Sequence, residues 1–172
     1  MSTDDEDRIE RAVQAITLRY LERATPQQWH VFAARSNYDG NRYALEWLAG
    51  HPRLSRATAL LMYWALGAGW HVQFVSEDEV DGWALPAHRL IRNIETRYLG
   101  GYYADGTIYF DPDDGPVPPG DYIGMVENRR PVPAAMLAVV PGSDWVDLDD
   151  EGYDEGLPLA VAEEIAALFE PR

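Results

Sequence analysis

Two short acidic runs are the residues whose types and spacing come nearest to a known chemistry. Asp111-Pro112-Asp113-Asp114-Gly115 and Asp147-Leu148-Asp149-Asp150-Glu151-Gly152 both resemble the opening of a calcium loop, which collects hard oxygen ligands from alternate positions around a tight glycine turn. The second run has acids at the first, third and fifth loop positions and glycine at the sixth. The closing position, which should be a bidentate Glu, is Pro158, and no helix signal precedes Asp147, so no calcium site is expected. Paired carboxylates also serve glycoside hydrolysis, but a chain this acidic offers many such pairs and its spacing singles out none. His30, His51, His71 and His88 are scattered without a His-x-x-x-His or His-Glu-x-x-His pair and read as partly exposed residues. There is no Cys and no Lys, which removes disulfides, thiol catalysis, cysteine zinc sites, Schiff bases and the P-loop. No Gly-x-Ser-x-Gly elbow is present. No catalytic residue, metal ligand or cofactor site is therefore assigned.

What remains is a surface. Residues 1–100 carry 13 acidic side chains against 11 Arg, whereas residues 101–172 carry 16 against 3, so nearly all of the formal charge of −15 falls in the second part. Aromatics are interleaved with these acids. Like charges at such density repel, and a basic partner relieves the repulsion; Tyr and Trp supply contact area at small entropic cost. The candidate partner-binding residues are Asp144, Trp145, Asp147, Asp149, Asp150, Glu151, Tyr153 and Asp154, followed by Asp111, Asp113 and Asp114. The partner expected is a basic protein. Nucleic acid is not, because the second part would repel phosphate and the arginines of the first are balanced by acids.

The elements that must hold these residues read as helices over most of the chain. Ser2 or Thr3 caps a first helix with Asp4, Asp5 and Glu6 at its positive end and an apolar stripe of Ile9, Val13, Ile16, Tyr20 and Leu21. Thr25-Pro26-Gln27-Gln28 is a capping box opening a helix with Trp29 and Phe32. A third helix follows Asn37-Tyr38-Asp39-Gly40, with Asn37 or Asp39 as its cap and Tyr38 as an anchor, and ends before Gly50. Ser55 caps the most apolar segment, 57–66, whose nearly uniform hydrophobicity marks a central helix closed by Gly67. Ser76-Glu77-Asp78-Glu79 reads as a second capping box before a helix or helix pair that breaks near Pro86, carries Leu90, Ile91, Ile94 and Tyr98 inward and ends at Gly100-Gly101.

Beyond that point Thr107-Ile108-Tyr109-Phe110 reads as a short strand, paired with Tyr102-Tyr103 through a turn at 104–106. Periodicity does not decide the type of the apolar run 134–140. A terminal amphipathic helix turns Leu159, Ala162, Ile165, Leu168 and Phe169 inward and docks back on the bundle. The expected fold is mainly α: a single-domain helical bundle with an irregular C-terminal part containing a short β-hairpin and a terminal helix. Residues 1–172 make one domain, divided into a bundle over 1–101, an acidic loop-rich segment over 102–158 and the helix over 159–170. No apolar run approaches the ~18–20 residues that cross a bilayer, and the acidic N-terminus is unlike a secretory signal. No membrane association and a cytoplasmic location are expected.

Within the helical part, Asn37-Tyr38-Asp39, His51-Pro52, Thr58-Ala59-Leu60 and Tyr63-Trp64 resemble a family of small bacterial domains of unknown function, which shares an Asn-aromatic-Asp step, a His-Pro step and a Thr-Ala-Leu helix ending in an aromatic pair. The resemblance covers residues 36–64 and implies a helical fold with no established activity. Uncharacterised bacterial domains of this size often turn up as immunity partners of secreted toxins, an association the motif itself does not encode. Joined to the acidic surface, that association makes the leading expectation a non-enzymatic immunity protein blocking a basic toxin. The rivals are a small metal-dependent enzyme or binder assembled from scattered His and Asp, and a DNA-mimicking inhibitor.

Overall fold

The computed structural model describes residues 3–122 and 124–170. Seven α-helices are found among them: α1 (Thr3–Leu21), α2 (Pro26–Arg35), α3 (Arg42–Ala49), α4 (Arg56–Ala65), α5 (Ala68–His71), α6 (Leu85–Leu99) and α7 (Leu159–Ala166). A two-stranded antiparallel hairpin, β1 (Tyr153–Asp154) and β2 (Leu157–Pro158), precedes α7. The protein is mainly α, as its periodicity predicts. No helix among the described residues is long and apolar enough to cross a membrane.

The central helix is α4. Every side chain from Ala57 to Trp64 is buried, so no face is left for water, and α2 and α6 pack against it. The Ser55 hydroxyl accepts from the Ala57 N–H and starts it, and Gly67, at φ +82°, ends it in the left-handed region that a side chain would disfavour. The capping box of α2 is complete: the Gln28 N–H donates to the Thr25 hydroxyl, and the Thr25 N–H donates to the Gln28 side chain.

Several expectations are corrected. The cap at Ser2 lies outside the described residues, and Thr3 is already helical. Asn41, not Asn37 or Asp39, is the N-cap of α3; the Asn37 side chain instead accepts from the N–H groups of Asp39 and Gly40, closing the preceding turn. Tyr38 is the expected anchor, its hydroxyl donating to the Ala33 carbonyl at 2.7 Å. Ser76 forms no capping box, because Glu79 is spent elsewhere: its carboxylate accepts from the Val75 N–H and pairs with Arg129, leaving one 3-10 turn over Glu77–Glu79. Pro86 begins α6 rather than breaking it, since a proline's missing N–H costs nothing in the first helical turn.

The largest correction concerns residues 102–110. Tyr102 and Tyr103 do not pair with 107–110; their hydroxyls donate to the carbonyls of Gly50 and Ala49 at the end of α3, and Ala104 exchanges backbone hydrogen bonds with Leu54 and Arg56. Residues 108–110 pair instead with 140–144, Phe110 bridging to Val140 and Ile108 to Asp144. The run 134–140 is thereby a short 3-10 turn, Ala134–Met136, leading into that bridge. Ile108, Phe110, Met136, Val140 and Leu157 join the helices in one hydrophobic core, and the Trp64 indole N–H donates to the Met136 carbonyl at 2.9 Å.

In the terminal helix Ala162, Ile165 and Leu168 are half-buried, but Leu159 and Phe169 are exposed. The helix lies along α1 and is held at its polar edge by the Arg19–Glu164 ion pair. The junction that brings 140–144 onto 107–109 needs a residue without a side chain. A Cβ on Gly142 would lie 2.3 Å from the Thr107 carbonyl oxygen, with Ile108 and Tyr109 backbone atoms almost as close. Gly142→Ala is expected to cost about 1–3 kcal/mol by forced overpacking against backbone that cannot rotate away; a melting curve matching wild type would refute this packing.

Candidate functional site

The backbone that carries the acidic surface is fixed before any carboxylate is considered. The Tyr109 N–H donates to the Asp144 carbonyl and the Asp144 N–H to the Thr107 carbonyl, both at 2.9 Å. Arg35, at the end of α2, donates to the carbonyls of Asp150 (2.7 Å) and Tyr153 (2.8 Å). One guanidinium therefore clamps both sides of the turn that precedes the hairpin, using its planar fork of donors. The hairpin itself turns at Glu155-Gly156, both at positive φ (45° and 84°), as a two-residue connection of this twist requires. Gly156 presses on the backbone of Phe32 so closely that a Cβ would lie 2.7 Å from its Cα.

The eleven acidic and aromatic candidates divide into two roles on this frame. Asp144 is a buttress: its carboxylate accepts from the Gln27 amide (3.0 Å), the Ser143 hydroxyl (3.0 Å) and the Thr107 hydroxyl. These three donors, that of Thr107 first, hold its carboxyl below the usual range, so it stays ionised while tying α2 to the 107–109 stretch. Asp111 caps the 3-10 turn Pro112–Asp114 by accepting from the Asp113 N–H. Asp147 and Asp150 each accept a backbone N–H two residues on, from Asp149 and Gly152, which is the ordinary turn chemistry of aspartate. Tyr153 is half-buried in β1.

Asp113, Asp114, Asp149, Glu151 and Asp154 are different. All five are exposed, and among the described residues none has an ion-pair partner. Trp145, on the same segment as three of them, has its ring stacked on Tyr109 (centroids 4.3 Å apart, planes 25° apart) and is still 75% exposed. The stack fixes the orientation of a large apolar ring while leaving one face to water. The two clusters leave the same short ladder, residues 111–114 continuing from Phe110 and residues 144–154 starting opposite Ile108. Gln27, Arg35, Thr107 and Tyr109 support this surface and had no signal in the sequence, since each acts across more than 35 positions of chain.

The histidines are more buried than their scattering suggests. The ring of His30 is enclosed and its Nδ1 hydrogen-bonds the Thr58 hydroxyl at 2.9 Å; burial lowers its pKa to about 4. His71 and His88 are buried against each other, Nδ1 to Nδ1 at 3.2 Å, and burial lowers both, His71 to about 4. Only His51 is half-exposed, lying between Trp29 and Trp47. Among the described residues no three His, Asp or Glu side chains converge as a metal-binding group.

Residues 24–99 match a family model described as a domain of unknown function (DUF4274). The match contains the Asn37–Trp64 motifs and extends from just before α2 to the end of α6. It names no activity. No curated protein and no solved structure matches the chain. The matched segment thus supplies the scaffold, with Gln27 and Arg35 among its contacts to the acidic surface, while the candidate acids themselves lie outside it.

Proposed function

We propose that this chain, built on a helical domain of an uncharacterised family, is a non-catalytic binding protein that captures a basic protein partner, in the manner of an immunity protein blocking a toxin. One observation carries the reading: the exposed, stacked Trp145 and the exposed carboxylates of Asp149, Glu151 and Asp154, which have no ion-pair partner among the described residues, lie on one short segment that Arg35 clamps. A partner arriving there finds charge and an aromatic anchor already ordered, so little freedom is lost on binding. Like-charge repulsion within the segment is relieved by a basic surface, and the same field steers encounter. Asp144 is engaged by three side chains of the fold; on this reading contact centres on Trp145, Asp147, Asp149, Asp150, Glu151, Tyr153 and Asp154, with Asp111, Asp113 and Asp114 at a second patch.

The test is association with the protein encoded by the adjacent gene, measured across a salt series. Replacing Asp149, Glu151 and Asp154 by Asn, Gln and Asn is expected to slow association at least tenfold at low salt and to flatten its salt dependence, with no change in melting temperature. Trp145→Ala is expected to speed dissociation by tenfold or more, the usual size of an anchor's loss. Unchanged binding and salt slope in the triple variant would refute the acidic surface as the contact.

A further inference from the structure

A cleft of about 370 Å³ lies where the start of α3, the junction of α4 and α5, and the start of α6 meet. That volume falls within the range of small-molecule sites. Apart from Tyr122, every residue lining it belongs to the matched segment 24–99, so the cleft is a feature of that segment and is separate from the acidic surface.

Two features of its wall point to a ligand. Arg42, the first residue of α3, is half-buried in the cleft yet makes no hydrogen bond, ion pair or ring contact. Among the described arginines it shares that condition only with Arg23, which is exposed on the surface; the others all hold a carboxylate, a carbonyl or an aromatic face. A guanidinium is always charged and carries five donors, so a half-buried one without a partner is half of an anion site. Asp39 also lines the cleft, but its carboxylate is exposed and does not pair with Arg42. The second feature is aromatic. Trp83 is 74% exposed on the cleft wall, its ring 5.7 Å from that of Trp70 and tilted by 40°. Trp70 is braced by His71 and Phe74, so the pair offers a fixed platform with one side open.

We propose that this cleft binds a planar aromatic carboxylate of small-molecule size, its ring on Trp83 and Trp70 and its carboxylate on Arg42. The bidentate match of guanidinium to carboxylate supplies orientation, and the rings supply contact area. The chain's net charge of −15 does not forbid an anion here, because exposed charges beyond about 8–10 Å are screened at physiological salt and Arg42 acts at contact. The proposal stands independently of the acidic surface.

The experiment is a titration of the full-length protein with 2-naphthoate, followed by the indole N–H resonances of its tryptophans and by calorimetry, with neutral 2-naphthalenemethanol as comparison. Saturable shifts at Trp70 and Trp83 with Trp145 unmoved are expected, with naphthoate at least tenfold tighter than the neutral analogue. Arg42→Gln is expected to remove that tenfold preference while leaving the neutral analogue's affinity unchanged, and Trp83→Ala to weaken both ligands at least tenfold. Neither residue supports the core, and the comparison of the two ligands on the wild-type protein needs no variant. Absence of shifts at Trp70 and Trp83 with millimolar naphthoate, equal affinity for the two ligands, or an Arg42→Gln variant that still prefers naphthoate would each overturn the proposal.

Discussion

Glu95→Ala is expected to lower the melting temperature by about 6 °C or more. Glu95 sits in α6, 2% exposed, and its carboxylate gathers Tyr63 from α4, Arg92 from its own helix and Arg130 from the C-terminal part. The Tyr63 hydroxyl donates at 2.9 Å and Arg92 at 2.6 Å, while Arg130 approaches with both terminal nitrogens. Arg130 also donates its backbone N–H to the Val72 carbonyl, so this one carboxylate fastens the stretch after residue 128 to the helical bundle. Removing one partner of a buried ion pair costs about 3–5 kcal/mol, because the remaining charge and the buried hydroxyl lose their compensation. For a chain of this length each kcal/mol is worth about 2–4 °C. Glu95→Gln keeps the shape and a hydrogen bond to Tyr63 but not the charge, and should fall between wild type and Ala. Calorimetry of the two variants gives the order directly. An Ala variant melting within a few degrees of wild type would mean the cluster contributes nothing net.

Acid is the second strong lever. Between about pH 6.5 and pH 4 the stability of the protein is expected to fall steeply, before most carboxylates titrate. The sign follows from the histidines. His30 and His71 titrate near 4 in the folded protein, and His88 is lowered too, whereas in the unfolded chain all three take up protons near the ordinary value of about 6.5. Within that window the unfolded state binds more protons, so stability is full above the unfolded pKa, declines as pH drops, and stops declining on their account near pH 4. His30, enclosed and facing only the Thr58 hydroxyl, contributes about 3 kcal/mol across the window. The His71–His88 pair adds to it in the same direction: one Nδ1 must donate and the other accept, and a proton on the accepting nitrogen sets N–H against N–H. Arg92 disfavours the protonation of His88 further, against a smaller opposing pull from Glu77. Denaturant unfolding at half-unit pH steps should give a slope approaching about 1.4 kcal/mol per pH unit for each of His30 and His71, with His88 adding in the same direction. His30→Gln, which keeps a neutral hydrogen-bonding group, should remove one histidine's share. A flat profile between pH 6.5 and 4.5 would contradict the burial of all three. Glu77, Glu79 and Asp144, held low by their partners, begin to withdraw their contribution only near the acid end of the window, as pH falls through the ordinary carboxylate values, and continue below it.

How much of this was legible in the sequence depends on how far along the chain the determining contact lies. The α2 capping box, the Ser55 start of α4 and the Gly67 stop are decided within four residues, and the sequence pattern found each one. Glu95 was within reach: it shares the inward stripe of Ile91, Ile94 and Tyr98, and a carboxylate on that stripe must be paired. Tyr102-Tyr103 was misread because strand propensity cannot know that two carbonyls at the end of α3 stand waiting for hydroxyls. Ser76-Glu77-Asp78-Glu79 has the letters of a capping box, but Arg129, fifty residues on, takes the glutamate.

By itself the sequence determined the helical scaffold, the concentration of acids in the second part and the absence of thiol and amine chemistry, because these follow from composition and from spacing of 3.6 residues. Only the tertiary structure decided which acids are tied down and which are free. Asp144 and Asp149 are alike in the sequence, yet Gln27 and Thr107 donate to the carboxylate of one and, among the described residues, no hydrogen-bond donor or ion-pair partner meets that of the other. The same holds for Arg42 among the arginines. A side chain's freedom depends on what distant chain is brought within about 3 Å of it, and local sequence carries no record of that.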